Sequence, residues 1–502
     1  MTDPVPALES EVKVEVDDDF RVPDLPARLE VTVATAPETE LVATYYDTAD
    51  LRLARWGATL RYRAPTEAPG HWTVKLPTED RPDPVLSRQE IDFAGEPGEV
   101  PTEAARLVRG LTRRQPLAAV AELTTLRRRH LVLAHDGRRP LAEIDDDRVR
   151  FHTSSGRKGS FREIEVELQA GGRRSLLTDI RRLLLDAGGR PGDDTPKVVR
   201  ALGELPPAEV GDRTDDDSTL GGVVTRALAG SVHRLLANDP GVRLGADPEA
   251  VHQARVATRR LRSDLSTLSH LVDREWAAGV RAELKGIGAR LGAVRDADVL
   301  IDRLRTAAEE LPVEDQGAAA VFVGRLDAER DDARSSLLAY LDSDEYVDVL
   351  EDLLMATDDP RVTTPGVPAA EALRPLVAKR WRAVKRRVRR LGGDPADDDL
   401  HKVRIDIKRC RYAAELAAPV FGRPARQFAK GLAAAQGVLG DLQDAAVAER
   451  WLRGAASQAS ADEALVAGQL VALERAHRAG SRQAWPGAWR ALQDARLSGW
   501  LD

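Results

Sequence analysis

"ESEVKVEV", residues 9 to 16, alternates without a break, placing Glu9, Glu11, Lys13 and Glu15 on one side of an extended chain and Val12, Val14 and Val16 on the other. Successive side chains of a β-strand point to opposite faces, so the stretch predicts a strand with one apolar and one ionic face. The pattern recurs up to about residue 204. "TLRYR" sets Arg61 and Arg63 against Leu60 and Tyr62, "HWTVKL" sets Thr73 and Lys75 against Trp72, Val74 and Leu76, and "SRQEID" aligns Arg88, Glu90 and Asp92. Further on, "LRRRH" contributes Arg127 and Arg129, "AEIDDD" contributes Glu143, Asp145 and Asp147, and "REIEVEL" sets Glu163, Glu165 and Glu167 against Ile164, Val166 and Leu168.

Antiparallel strands with a solvated outer face are the ordinary cause of such alternation. Solvated faces mix Ser, Thr, Gln and Lys, however, whereas here paired charges of both signs repeat from strand to strand. Turned inward, these faces line a closed antiparallel barrel, and eight strands leave room for side chains and about one small ligand. A wall of Lys and Arg suits a compact polyanion, and clustered carboxylates in the same wall call for a divalent cation to offset their repulsion. A phosphate chain with Mg²⁺, or Mn²⁺ in its place, satisfies both demands.

"ESEVK" resembles the ExExK signature of the CYTH, or triphosphate tunnel metalloenzyme, superfamily. "YYDTADLRL", "LRYR", "VKLP", "SRQEID", "EIDDD", "REIEVEL" and Lys197 follow in that family's order, so the resemblance covers roughly residues 7 to 203. It implies that Glu9, Glu11, Glu165 and Glu167 are metal-side carboxylates, with Asp145 and Asp147 close by. By the same resemblance Lys13, Arg61, Lys75 and Glu90 belong to the catalytic set, and Arg63, Arg88, Arg127, Arg129 and Lys197 bind phosphate. Members hydrolyse inorganic triphosphate, thiamine triphosphate or RNA 5′-triphosphates, and some cyclise ATP. Aromatic residues make up only 4% of the chain, and no aromatic patch stands beside the tunnel motifs, which favours inorganic triphosphate.

After "GELPPAEVGDRTDDDS", rich in Pro, Gly and Asp and read as the interdomain linker, the periodicity becomes helical. The expected domains are therefore a barrel over 5–204, a linker over 205–218 and an all-α region over 219–500, with repeats at about 219–357 and 369–500. Together they make an α+β multidomain chain. "HQARVATRRLR" (252 to 262) returns as "HKVRIDIKRCR" (401 to 411), and "LGAVRDADV" (291 to 299) returns as "LGDLQDAAV" (439 to 447). On a helix, His252, Arg255, Arg259 and Arg262 fall on one stripe, as do His401, Arg404, Lys408 and Arg411, each opposite an apolar side. Arg260 and Arg409 add a further cation to each copy. With no second His, Cys or carboxylate at i+4 beside either histidine, metal binding there is disfavoured.

This duplicated pattern resembles the CHAD domain over about 219 to 500. The resemblance implies two pseudo-symmetric helical bundles whose basic stripes face each other across a cavity that binds inorganic polyphosphate.

The balance of 74 Lys and Arg against 82 Asp and Glu, a net charge of −8, argues against a simple nucleic-acid coat. "KRWRAVKRRVRR" (379 to 390) is nonetheless a dense cationic run. Its one aromatic, Trp381, offers little for base stacking, so a backbone-only polyanion suits it better than nucleic acid. The single cysteine, Cys410, excludes an internal disulfide. No run approaches the ~18 apolar residues of a membrane span, and a cytoplasmic protein, associated with polyphosphate granules through its helical part, is expected.

The expectation is a Mg²⁺-dependent inorganic triphosphatase joined to a polyphosphate-binding helical domain. The alternatives are an organic triphosphate hydrolase or adenylate cyclase on the same barrel, and a noncatalytic polyphosphate-binding protein. Oligomeric state is not legible.

Overall fold

A computed structural model of the chain describes residues 7–65, 70–78, 86–192, 195–210 and 216–501. It divides between Glu209 and Val210 into two compact units.

The first unit holds strands β1 (Ala7–Glu15), β2 (Val31–Thr35), β3 (Thr39–Asp47), β4 (Thr59–Pro65), β5 (His71–Pro77), β6 (Leu86–Phe93), β7 (Ala118–Ala134), β8 (Pro140–Thr153), β9 (Lys158–Leu168) and β10 (Arg190–Pro191). Short helices α1 (Arg52–Arg55), α2 (Thr102–Leu107) and α3 (Arg109–Thr112) precede β7, and α4 (Arg174–Asp186) and α5 (Lys197–Leu202) follow β9. Neighbours pair antiparallel in the order β1-β6-β5-β4-β3-β7-β8-β9, and β9 pairs back to β1, so eight strands close a barrel. Strands β2 and β10 lie off the ring, on β7 and β1.

The barrel is polar inside because its apolar faces are covered outside. Val12, Val14, Ile144, Ile164 and Val166 pack against Leu177, Ile180 and Leu184 of α4, all buried. Truncating such a residue, as in Leu177→Ala, costs about 2–5 kcal/mol. On another side Trp72 is fully buried beneath Tyr46 and Tyr62, with ring centroids 4.8 and 5.5 Å away. Part of the expected linker packs on this unit, since Glu209 accepts a hydrogen bond from Trp56 Nε1 at 3.1 Å and pairs with the buried Arg113.

The second unit is helical: α6 (Leu220–Leu244), α7 (Pro248–Thr267), α8 (Arg274–Glu309), α9 (Val313–Leu341), α10 (Asp344–Asp358), α11 (Ala369–Arg389), α12 (Asp397–Phe421), α13 (Arg423–Ala456) and α14 (Ala461–Leu492). The duplicated motifs fall on α7 and α12 and on α8 and α13, so each repeat is four helices, with α10 between the sets. Local signals set the starts: Asp247 caps α7 before Pro248, Asp273 caps α8, and Ser460 with Glu463 forms a capping box on α14. Helix α12 opens on Asp397, Asp398 and Asp399, where carboxylates oppose the positive end of the helix dipole. Cys410 is buried on the apolar side of α12. Among the described residues no helix is long and apolar enough to cross a membrane.

Candidate functional site

Among the described residues the barrel encloses a cavity, and the closing registers set its wall. Across β1, β9 and β8, Glu11, Glu167 and Glu143 share one row, Lys13, Glu165 and Asp145 the next, and Glu15, Glu163 and Asp147 the third. Opposite-charge neighbours on adjacent strands stabilise each other and like charges repel. In the second row Lys13 obeys this, with Nζ 3.0 Å from Glu165, and it also reaches Glu11 of the first row at 3.5 Å. Burial disfavours the Lys13 ammonium, but Glu165, Glu11 and Glu163 outweigh burial and keep its pKa above the usual lysine value.

Arg127 grips Asp147 through Nε (2.8 Å) and Nη2 (2.6 Å) and also pairs with Asp145. Lys197, at the start of α5, contacts Asp147 (2.9 Å), Glu163 (3.2 Å) and Glu165. Burial resists ionisation of Glu165, yet Lys197, Lys13 and Arg127 hold its carboxyl far below the usual carboxylate range. Arg129 reaches Glu143 at 2.7 Å and Asp145 at 3.2 Å.

The cationic wall lies on β4, β5 and β6. Glu90 is held by Arg61 (3.4 Å) and Lys75 (3.6 Å). Arg63 has no ion-pair partner among the described residues; the Arg61 charge first, then burial and Arg127, depress its guanidinium pKa to about 10. A cation held among cations accepts an anion readily.

The structure thus brings Glu11, Lys13, Arg61, Arg63, Lys75, Arg88, Glu90, Arg127, Arg129, Asp145, Glu165, Glu167 and Lys197 to one cavity. Asp147 is not on its surface: fully buried, it lies beneath Arg127 and Lys197. Glu9 stands in β1 opposite Arg88, and its side chain lies outside the described residues. Two titratable lining residues lie outside the site assigned from sequence. Glu143 sits in the row of Glu11 and Glu167, and strict alternation from Asp145 marks it. Tyr45 hides in β3, whose inward positions Leu41, Ala43 and Tyr45 carry no charge, so the ionic pattern passes over that strand. Its hydroxyl accepts a 3.5 Å hydrogen bond from Arg61; burial opposes ionisation, but Arg61, Lys197 and Lys75 bring the phenol pKa below its usual value.

Glu11, Glu167 and Glu143 are the residues fit for a hard divalent cation, being oxygen donors from three adjacent strands in one like-charged row. Burial, and then Asp145, push the Glu143 carboxyl pKa up, although Arg129 and Arg127 oppose the shift. Among the described residues no three acidic or imidazole side chains already converge at ligand distance.

In the helical unit, α7 and α12 bring their stripes together. Burial first, then Arg259, Arg404 and Arg255, lower the Lys408 ammonium pKa to about 8, a field contributed by both copies. Arg259 from α7 and Arg411 from α12 both lie over the Tyr412 ring, at 5.9 and 4.8 Å. The second motif explains itself against the first. Arg255 passes 3.7 Å from where a Cβ on Gly292 would sit and reaches Asp296 at 2.7 Å, while Arg404 passes 3.8 Å from the same point on Gly440. Buried nitrogens without hydrogen-bond partners among the described residues collect here: Nε of Arg259, Arg404 and Arg411, together with His401 Nδ1. Burial, with Arg295, Arg259 and Arg255, keeps His252 below its usual pKa. Arg262 Nη1 lies 3.8 Å from the Cβ position of Gly288 on the neighbouring α8. The structure leaves two assigned cations off the stripe: Arg260 pairs with Glu415 at 2.7 Å and Arg409 with Asp406 at 3.7 Å.

A CYTH-domain model matches residues 7–200, and a CHAD-domain model matches residues 226–453. An uncharacterized protein of Mycobacterium tuberculosis strain H37Rv is 31% identical over 446 residues, 84% of this chain and 83% of that one. The chain belongs to the CYTH–CHAD proteins. The CHAD domain from the plant Ricinus communis is similar to 57% of the chain at 26% identity, with 93% of that domain covered and a TM-score of 0.42. A Hippeastrum protein, described as an adenylyl cyclase with dominant triphosphatase activity, is similar to 40% at 16% identity, with 99% of it covered and a TM-score of 0.24. The CYTH barrel of this chain is that of a triphosphate-acting enzyme.

Proposed function

We propose that the barrel is a divalent-cation-dependent inorganic triphosphatase and that the helical unit binds inorganic polyphosphate. One observation carries the first half: a single cavity holds a carboxylate wall on β1, β8 and β9 and, on β4, β5 and β6, a cationic wall in which Arg63 has no ion-pair partner among the described residues. Arg61, Arg63 and Lys75 bind the terminal phosphates and stabilise charge as water displaces pyrophosphate from the terminal phosphorus. Lys13 and Lys197 keep Glu165 ionised and fixed in place. Glu11, Glu167 and Glu143 would hold the cation, Mg²⁺ or Mn²⁺, which would supply charge neutralisation to the bound phosphate chain.

A second reading, an organic triphosphate as substrate, draws on the neutral patch of Leu41, Ala43 and Leu123 beside the phosphate cations. Phosphate release from inorganic triphosphate, ATP and thiamine triphosphate, with Mg²⁺ and then EDTA, tests both. Metal-dependent turnover of inorganic triphosphate alone supports the first; preference for ATP or thiamine triphosphate moves the reading to the second. No turnover of any substrate leaves a binding protein.

For the helical unit, the support is the set of unpartnered buried donors shared by α7 and α12. Direct binding of inorganic polyphosphate to the full chain tests it, and absence of binding removes the proposal. Granule association follows from such binding.

A further inference from the structure

The cations of α11 divide into two sets. Arg374 lies over Phe421, Lys385 over Trp381, Arg387 pairs with Asp406, and Arg380 donates to the Ser266 carbonyl. Lys379, Arg382, Arg386, Arg389 and the capping Arg390 are exposed. None of these five has an ion-pair or hydrogen-bond partner for its side chain among the described residues.

At 100° per residue the five fall within a sector of ~100°, opposite the buried Leu373, Val377, Trp381 and Val384. They form a straight stripe of about 16 Å. Lys379–Arg382, Arg382–Arg386, Arg386–Arg389 and Arg386–Arg390 are all i,i+3 or i,i+4 neighbours, where like charges destabilise a helix. Favourable interaction with the helix dipole accounts for cations in the last turn, but not for Lys379 and Arg382. A net-acidic chain that pairs most of its arginines leaves these five free.

The geometry points to a second polyanion site, an exterior track on α11 that binds inorganic polyphosphate through its phosphates alone. Trp381, the one aromatic of α11, is buried in the core against Phe428 and Trp489, so the exposed face of the helix offers no ring on which a base could stack. No large hydrophobic side chain is exposed on the helix to enter a membrane. A polyanion with a charge on every unit and no bases needs only such a stripe of charges to be bound. This inference rests on the polyphosphate reading of the helical unit and adds a site to it. A chain long enough to engage both sites gains affinity by effective concentration.

The test uses the full chain and long-chain inorganic polyphosphate. The triple variant Arg382→Glu, Arg386→Glu, Arg389→Glu, and its charge-neutral counterpart with Gln at the same positions, are compared with Arg255→Ala plus Arg404→Ala, and circular dichroism verifies folding. We expect both stripe variants to lower long-chain affinity at least ~10-fold at low salt and to flatten its salt dependence, the Glu variant more strongly. Affinity and salt dependence unchanged in both would overturn the site. Loss of single-stranded DNA binding with polyphosphate binding intact would show that the ligand is nucleic acid. If the Arg255 and Arg404 variant binds long chains as tightly as wild type and the stripe variants weaken that binding, the cavity reading fails while the track stands. If wild type binds no polyphosphate, both fall.

Discussion

Arg259 and Lys408 occupy the same position in two copies of one helical motif, and the first helps to lower the pKa of the second. Burial and then the Arg259 guanidinium bring the Lys408 ammonium down to about 8 from its ordinary 10.5. A cation so placed is costly until an anion arrives.

Polyphosphate binding should therefore take up protons near pH 8. Titration calorimetry in buffers of different ionisation enthalpy reads that uptake, and affinity should decline as pH climbs through 8. The folded pKa lies below the unfolded one, so the destabilising contribution of Lys408 is fully present below pH 8 and is relieved between about 8 and 10.5. Lys408→Met should raise the thermal midpoint of the helical unit by a few degrees at pH 7 and weaken polyphosphate binding. A pH-independent affinity with no proton uptake contradicts this account.

Asp264 carries the opposite sign. It is buried with neither carboxylate oxygen hydrogen-bonded among the described residues; burial raises its pKa to about 7, with Arg260 opposing and Glu415 adding. Its folded pKa exceeds its unfolded one, so its contribution is fully present below the unfolded value near 3.8 and is lost as pH rises to about 7. Asp264→Asn should stabilise the helical unit at pH 8, by an amount on the order of a few kcal/mol at most, and change little at pH 4. Thermal melts at the two pH values decide the matter.

Glu11→Gln should lower triphosphate hydrolysis by about 100-fold or more and shift its Mg²⁺ requirement upward. Glu165→Gln should lose as much through a different route, because it loosens Lys13 and Lys197 together. Polyphosphate binding by the helical unit should survive both. Hydrolysis that persists in both variants would remove the carboxylate wall from the mechanism.

Arg255→Ala combined with Arg404→Ala should weaken polyphosphate binding at least ~10-fold while leaving triphosphate turnover nearly unchanged, since both residues lie in the helical unit. An unchanged binding isotherm excludes the paired stripes.

Much of the candidate site was legible because a charge repeated at a period of two on strand after strand lines one interior once the sheet closes into a barrel. The strand β3 was not legible as part of it: Leu41, Ala43 and Tyr45 look like any half-buried strand, and only the closed ring turns Tyr45 toward Arg61. Asp145 and Asp147 are equivalent in sequence, yet Asp147 is drawn beneath Arg127 and Lys197 and leaves the cavity surface. Arg260 and Arg409 adjoin their stripes in sequence, but lie off them on the helix and find Glu415 and Asp406 instead.

The sequence by itself determined periodicity and composition: a barrel with ionic inner faces, a break near residue 204 and a duplicated helical motif, because each is a property of consecutive residues. Tertiary structure decided which charges neutralise each other and which remain open to a ligand. Register across β1, β9 and β8 aligned Glu11, Glu167 and Glu143, and the packing of α7 on α12 placed Lys408 in the field of Arg259. Coulomb energy depends on distance in space and on the surrounding dielectric, and neither quantity is written in the order of the residues.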